Sequence, residues 1–258
     1  MGTSEIILLF GAAVAGGAVN SVAGGGGFIA FPSLLFTGMP PINANATSTI
    51  ALWPGTLAST GAYRRALSPA LLKRVMPLIV ITFLGSFAGS FLLLKTPQQT
   101  FLKIVPWLLL GATLLFSFGS RITAWVSRHH AQHGPSVWAV VGITLLQAIA
   151  AIYIGYFGAG VGIVMLALLS MMGLENIHSM NGLKTLLATC GNAVAVVVFI
   201  FAHAVYWRQG LLMMVGAIIG GYAGAYYAQK LNPKAVRYMV IAIGSLMTVY
   251  FFWKTRGM

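Results

Sequence analysis

The chain has 258 residues, of which 59% are hydrophobic and only 7% are charged. A soluble globular domain carries about 25% charged residues because its surface faces water, so this composition excludes an ordinary soluble domain and indicates a membrane protein. The 15 Lys and Arg residues outnumber two acidic residues, Glu5 and Glu175, and Asp is absent. Membrane aspartyl proteases, magnesium-dependent phosphotransferases and most ion pumps need carboxylates, and the sequence disfavours all three classes.

Apolar runs fill most of the chain, and each could form a helix in a bilayer, where a span needs about 20 mostly apolar residues. They cover residues 6–36, 43–63, 75–94, 102–120, 136–172, 177–206, 210–229 and 236–253. These runs predict an all-α, polytopic integral membrane protein with about eight spanning segments. No segment could form a separate soluble domain, so we expect a single transmembrane domain over residues 1–258.

Two of the runs, 6–36 and 136–172, are too long for one straight span and have glycine clusters in their interiors. Glycine costs about 1 kcal/mol per residue in a helix, so we expect both runs to break at their clusters. The clusters consist of Gly24, Gly25, Gly26 and Gly27 in the first run, and Gly155, Gly158, Gly160 and Gly162 in the second.

An internal repeat accompanies the two clusters, because a shift of about 135 residues aligns the halves in outline. Gly24–Gly27 then fall on Ala159–Gly162, and Asn45–Thr49 fall on Asn181–Thr185 with one added residue. Repeat one covers about 16–119 and repeat two about 151–254, with a basic connecting loop at about 121–135. Paired glycine-interrupted segments in two halves are typical of transporter binding sites.

The ordered motifs of the first half carry a family resemblance. Gly24–Leu35 reads GGGGFIAFPSLL, and a Gly38-Met39-Pro40 turn and the element Ala44–Ser48, ANATS, follow it. This combination resembles the TauE/SafE sulfite exporter family. The resemblance implies a multi-pass protein of the bacterial inner membrane that exports sulfite, a sulfonate or another organosulfur anion. The second half departs from the pattern, since it lacks the unbroken glycine run and the proline.

The residues themselves also predict an anion site. A broken helix leaves backbone N–H groups unpaired and directs its positive end at whatever lies there, whereas the alternative is a kink that only permits close helix packing. Hydroxyl and amide groups can replace the hydration shell of an anion, although they also cap helices and join them. The candidate substrate-binding residues are Gly24, Gly25, Gly26, Gly27, Phe28, Asn45, Thr47, Ser48, Thr49, Gly158, Gly160, Gly162, Asn181, Lys184 and Thr185.

Lys184 is the basic residue that lies inside an apolar run, about seven residues from its start. An ionisable residue within a span indicates function by default, and this one could offer a positive charge to an anion. The alternative is that its long side chain reaches the membrane interface.

The charge distribution bears on topology. Basic loops face the cytoplasm, so residues 64–74 and 121–135 are expected there, but loop charge does not decide between parallel and inverted repeats. His129, His130 and His133 lack the further ligands that a metal site needs. The sequence therefore predicts no metal, no cofactor and no nucleic-acid partner, and it leaves a homo-oligomer open.

The sequence thus predicts a transporter rather than an enzyme, with a small anion and the lipid bilayer as its partners. A permease for a different small anion or a neutral solute is the alternative. An intramembrane enzyme is the remote one, since a rhomboid-like protease would need a G-x-S-G nucleophile that the chain lacks.

Overall fold

The computed structural model describes residues 1–130, 137–174, 176–228 and 233–256, and these residues form α-helices joined by short turns, without a strand. The helices are α1 (Thr3–Ala23), α2 (Gly27–Phe36), α3 (Pro41–Ala62), α4 (Pro69–Lys95), α5 (Gln98–His130), α6 (Val137–Tyr156), α7 (Val161–Met171), α8 (Ile177–Phe201), α9 (Trp207–Ala228) and α10 (Pro233–Thr255). Within the described residues, five helices are long and apolar enough to cross a membrane. The protein is therefore an all-α, polytopic membrane protein. Of the predicted connecting loop 121–135, residues 121–130 belong to α5, and residues 131–135 lie outside those that the structure describes.

The glycine clusters break the helices where the sequence predicts. α1 ends at Gly24, whose φ of 74° is left-handed, and α2 starts three residues later. The second break contains Gly158 (φ 75°) and Gly160 (φ 81°) before α7 begins. Left-handed backbone is costly for residues with a Cβ, so glycine is what allows the chain to stop a helix and restart it in so few residues.

The helices of the two halves follow one another in the same order, each half having a short second helix of 10 or 11 residues. The packing is reciprocal: α1 packs mainly on α9, and α6 packs mainly on α4. A repeat in which α1 corresponds to α6 and α4 corresponds to α9 would pack in this way. The repeat itself stays a prediction.

Hydrogen bonds between α3 and α8 show that these two helices run in opposite directions. Near the start of α3, the side-chain amide of Asn43 donates to the carbonyl of Ala204, just after α8 ends (2.9 Å). Beyond the end of α3, the carbonyl of Ala66 accepts from Ser179, near the start of α8 (3.1 Å). If α3 and α8 are equivalent, the repeats are inverted.

The two ends of this pair define the two sides of the protein. On the Gln98 side, the Gln98 side chain accepts from the backbone N–H of Ile42 (2.8 Å) and donates to Asn43 (3.2 Å). On the Arg64 side, which contains the 3-10 turn Arg64–Ala66, the Arg74 guanidinium donates to the carbonyl of Met172.

Small residues let the reciprocal helix pairs approach closely. A Cβ added at Gly220 of α9 would collide with the carbonyl of Val14 in α1, and one at Gly89 of α4 would collide with the carbonyl of Ile152 in α6. Helices in a bilayer associate through such close backbone contact, because lipid provides no hydrophobic driving force between them. The spacing Gly85-x-x-x-Gly89 and Gly220-x-x-x-Gly224 therefore serves packing.

Candidate functional site

A small cavity lies where the two glycine breaks meet. A Cβ added at Gly24 would lie 3.8 Å from Cα of Gly162, and one added at Gly27 would lie 3.3 Å from Cβ of Ala159. The cavity volume is about 50 Å³, and because one buried water needs roughly 10–15 Å³, a few waters or one small ion would fill it. Its lining consists of Asn20, Gly24, Gly27, Phe31, Asn45, Ser48, Thr49, Leu52, Phe157, Gly158, Ala159 and Asn192.

Three asparagines from three different helices give the cavity its polar character. Asn20 comes from α1, Asn45 from α3 and Asn192 from α8. The Asn20 side-chain oxygen accepts from the backbone N–H of Gly26 (3.4 Å), which leaves its NH2 group free to donate. The described residues offer no hydrogen-bond partner to the Asn192 amide, so it too can serve a ligand.

Asn45 is held more firmly than the other two. Its NH2 group donates to the carbonyl of Tyr156 at the end of α6 (3.1 Å), and this acceptor fixes the orientation of the amide because a carbonyl can only accept. One N–H bond of that group remains for a ligand. Asn45 is 2% exposed, so its position is set by packing on all sides.

The start of α2 adds a backbone donor. The first N–H groups of a helix have no acceptor within it, and the N–H of Gly27 donates to no carbonyl among the described residues. A half-helix N-terminus also carries positive partial charge. The cavity therefore presents three amide groups, one backbone N–H and a helix N-terminus, without a charged side chain in its lining.

The two lining hydroxyl groups play a different part. Ser48 donates to the carbonyl of Asn45 (2.9 Å), and Thr49 donates to the same carbonyl (2.8 Å). These bonds turn both hydroxyl hydrogens away from the cavity. The hydroxyl groups thus pack the wall beside Asn45, and each must rotate before it can donate to an anion.

Six of the residues predicted from the sequence line the cavity: Gly24, Gly27, Asn45, Ser48, Thr49 and Gly158. Gly25, Gly26, Phe28, Gly160 and Gly162 lie in or beside the breaks without lining it. Thr47 is fully buried on another face of α3, where its hydroxyl oxygen accepts from the backbone N–H of Tyr206 (3.1 Å). Residues one or two positions apart on a helix face different directions. For this reason Ser48 lines the cavity and its neighbour Thr47 does not.

Asn181, Lys184 and Thr185 lie in the Arg64 half of the protein, away from the cavity lining. Thr185 is 7% exposed and donates to the carbonyls of Asn181 (3.0 Å) and Gly182 (2.9 Å), much as Thr49 donates to Asn45. Lys184 is 6% exposed, and the described residues provide it with no hydrogen bond or ion pair.

Aromatic rings close the cavity toward the Gln98 side. Phe31 and Phe157 both line it, and their rings meet edge to face with centroids 5.5 Å apart. Phe101 and Phe251 pack behind Phe31 at 6.2 and 6.3 Å. We call Phe31, Phe101, Phe157 and Phe251 the aromatic cluster, and its member Phe101 lies one turn after Gln98 in α5. These apolar rings lie between the cavity and the Gln98 side.

Sequence reasoning missed Asn20 and Asn192, although each had a signal. Asn20 lies four residues before the first glycine run, and Asn192 follows Gly191, a residue that the repeat aligns with Gly55. A lone amide in an apolar run can equally join two helices, and only the meeting of α1, α3 and α8 shows that these amides converge.

Comparison with known proteins agrees with this architecture. The family model described as "Sulfite exporter TauE/SafE" matches residues 8–251. The chain is 27% identical to a "Probable membrane transporter protein" of Haemophilus influenzae over 249 residues, covering 96% of this chain and 94% of that protein. It is 28% identical to "Probable membrane transporter protein ORF9" of a Sinorhizobium species, covering 95% of this chain and 91% of that protein.

A third relative is the "Probable membrane transporter protein YfcA" of Escherichia coli K12, which is 26% identical over 251 residues, covering 97% of this chain and 90% of that protein. No solved structure matches the chain. The matched residues include both glycine breaks and every residue that lines the cavity. The chain therefore belongs to the TauE/SafE sulfite exporter family and is a membrane transporter of that type.

Proposed function

We propose that this protein exports a small anion of the sulfite and sulfonate class across the bacterial inner membrane, binding it in the cavity between the glycine breaks. The observation that carries the proposal is the donor set: the amides of Asn20, Asn45 and Asn192 and the N–H of Gly27 surround a space of about 50 Å³. Hydrogen bonds to a charged group contribute about 1.5–3 kcal/mol each, so several together can replace lost hydration.

The distribution of basic residues orients the protein in the membrane. The sequence carries nine Lys and Arg residues in the segments 64–74, 121–128 and 230–237, which include or adjoin the helix ends that meet the Arg64 side, and five elsewhere at helix ends. Lys184 is counted in neither group. Basic segments face the cytoplasm, which makes the Arg64 side cytoplasmic. The aromatic cluster then separates the cavity from the periplasm.

Export needs no carboxylate in this arrangement. The interior of a bacterial cell is electrically negative, so a monoanion that leaves gains about 2.3 kcal/mol per 100 mV. A uniporter that uses this potential requires donors for the anion and a way to open the periplasmic side. This fits a chain that has two acidic residues in all.

A permease for neutral solutes is the second candidate, because the cavity lining contains no charged side chain. Methanesulfonate and methanesulfonamide distinguish the two, since they are similar in size and differ in charge. We expect proteoliposomes containing the protein to carry sulfite and methanesulfonate, faster when a potassium diffusion potential drives the anion. Equal uptake of methanesulfonamide, independent of the potential, would favour the neutral-solute permease.

The matched variants for this assay are Asn192→Ala and Asn43→Ala. Asn192 lines the cavity, whereas Asn43 binds the carbonyl of Ala204 on the Gln98 side. Loss of one hydrogen bond to a charged ligand corresponds to about a 10- to 100-fold increase in KM, and we expect it in Asn192→Ala alone. An unchanged KM in that variant would show that the anion does not bind in this cavity.

A further inference from the structure

Lys184 occupies in α8 the position that Ser48 occupies in α3. Each is the eighth residue of its helix, since α3 begins at Pro41 and α8 at Ile177. The fifth residues, Asn45 and Asn181, also correspond, and each accepts a hydroxyl hydrogen bond from the ninth residue of its helix. Ser48 lines the cavity. Because α3 and α8 run in opposite directions, Lys184 lies at the matching level on the Arg64 side.

Among the described residues, Lys184 has no partner for its positive charge. The side chain is 6% exposed, and the described residues give its ammonium group no hydrogen bond and no ion pair. Glu5, the acidic residue within the described ranges, belongs to the first turn of α1 on the Gln98 side. Its nitrogen is not among the described side-chain N and O atoms that are both fully buried and without a hydrogen-bond partner, so the end of the side chain stays accessible to a ligand.

The distance from Lys184 to the cavity is short enough for an anion bound at Lys184 to move on into the cavity. Lys184 and Asn192 are eight residues apart on α8, which corresponds to about 12 Å along the helix axis. Polar groups lie along the α3–α8 contact over this stretch: the Thr60 and Thr189 hydroxyl groups are 2.9 Å apart, and the Trp53 indole donates to the carbonyl of Thr189 (3.1 Å). Aromatic rings fill the corresponding stretch on the Gln98 side.

We propose that Lys184 forms a second anion-binding site, in which its ammonium group holds the transported anion on the Arg64 side before the anion passes to the uncharged cavity. This inference rests on the proposed function and adds to it a charge-selecting step. An ammonium group attracts an anion and offers nothing comparable to a neutral solute, so Lys184 is a specificity-determining residue.

The test uses the full-length protein with Lys184→Met, Lys184→Arg and the control Lys73→Met. Lys73 is exposed in the first turns of α4 on the same side, so its replacement removes the same charge from a solvated position. Sulfite and methanesulfonate flux is measured in proteoliposomes, and the thermal unfolding midpoint is measured in detergent with and without sulfite.

We expect Lys184→Met to reduce the flux of both anions by about 10-fold or more, which is what the loss of one charge-assisted hydrogen bond amounts to. We also expect the increase that sulfite causes in the unfolding midpoint to shrink. Lys184→Arg should restore part of the flux, since the charge returns with a different shape. Lys73→Met should behave like the unaltered protein.

Unchanged flux and an unchanged sulfite effect in Lys184→Met would overturn the second site while leaving the cavity proposal intact. If the unaltered protein carries neither anion, the proposed function fails, and the sulfite effect on the unfolding midpoint then decides the Lys184 site by itself. If Lys184→Met does not assemble, Lys184→Gln, which keeps a polar end without the charge, replaces it under the same criteria.

Discussion

The side-chain amide of Asn45 in α3 donates to the carbonyl of Tyr156 at 3.1 Å, and Tyr156 is the last residue of α6 before the second glycine break. The bond ties the wall of the cavity in one half to the broken helix of the other. Freeing a buried carbonyl costs about 1–3 kcal/mol, so this contact holds the meeting point of the two breaks in place.

Asn45→Ala should therefore affect both stability and transport. We expect the free energy of unfolding to fall by about 1–3 kcal/mol and anion flux to fall more than in Asn43→Ala, which loses a similar amide–carbonyl bond outside the cavity. Parallel thermal unfolding and flux measurements check this. Equal flux in the two variants would show that the bond to Tyr156 is structural only.

Gly24→Ala tests the left-handed backbone at the first break. A Cβ at φ 74° costs roughly 1–2 kcal/mol, and here the strain would move the residue that meets Gly162. Gly38→Ala is the control, because Gly38 has φ 81° and open space around it, in the turn after α2. Both variants should lose similar stability, whereas only Gly24→Ala should lose flux. Similar flux losses in both variants would show that the backbone at the first break has no specific role in transport.

The close contact between α1 and α9 predicts a position where a larger side chain prevents assembly. Gly220→Val would drive its Cβ into the carbonyl of Val14, so the helices would have to separate. We expect the yield of monodisperse protein after extraction to drop sharply. Gly111→Val, at a site with nothing within 4 Å, should extract normally. Normal extraction of both variants would show that the two helices do not need this contact.

Membrane orientation can be tested by labelling single cysteines in intact cells, in a background with Cys190→Ser. Gln99→Cys lies exposed on the Gln98 side and should react with an impermeant maleimide from outside. Ser127→Cys, near the far end of α5, should react only after the cells are opened. The opposite labelling pattern would place the Arg64 side, with its basic segments, outside the cell.

Residue pattern alone predicted the helical breaks because glycine acts locally: each glycine costs about 1 kcal/mol in a helix, and both breaks contain several glycines close together. It also predicted part of the cavity, including Asn45 and Gly158. It did not separate Asn45 from Asn181, which the predicted repeat aligns. A linear alignment assigns both to one site, whereas antiparallel helices place them in opposite halves of the membrane domain. The convergence of Asn20 and Asn192 depends on the packing of helices far apart in sequence, and no local pattern encodes it.

The opposite directions of α3 and α8 have a consequence for the transport cycle. The first half places Ser48 in the wall of the cavity, and the second half places Lys184 at the corresponding position of α8. If the predicted repeats are inverted, an exchange of conformation between the two halves would separate the rings of Phe31 and Phe157. We expect spin labels at Gln99 and Tyr206 to move apart when substrate is present on the Gln98 side, and a fixed distance would argue against this exchange. The two end states of the cycle would then be related to each other by a two-fold axis in the plane of the membrane.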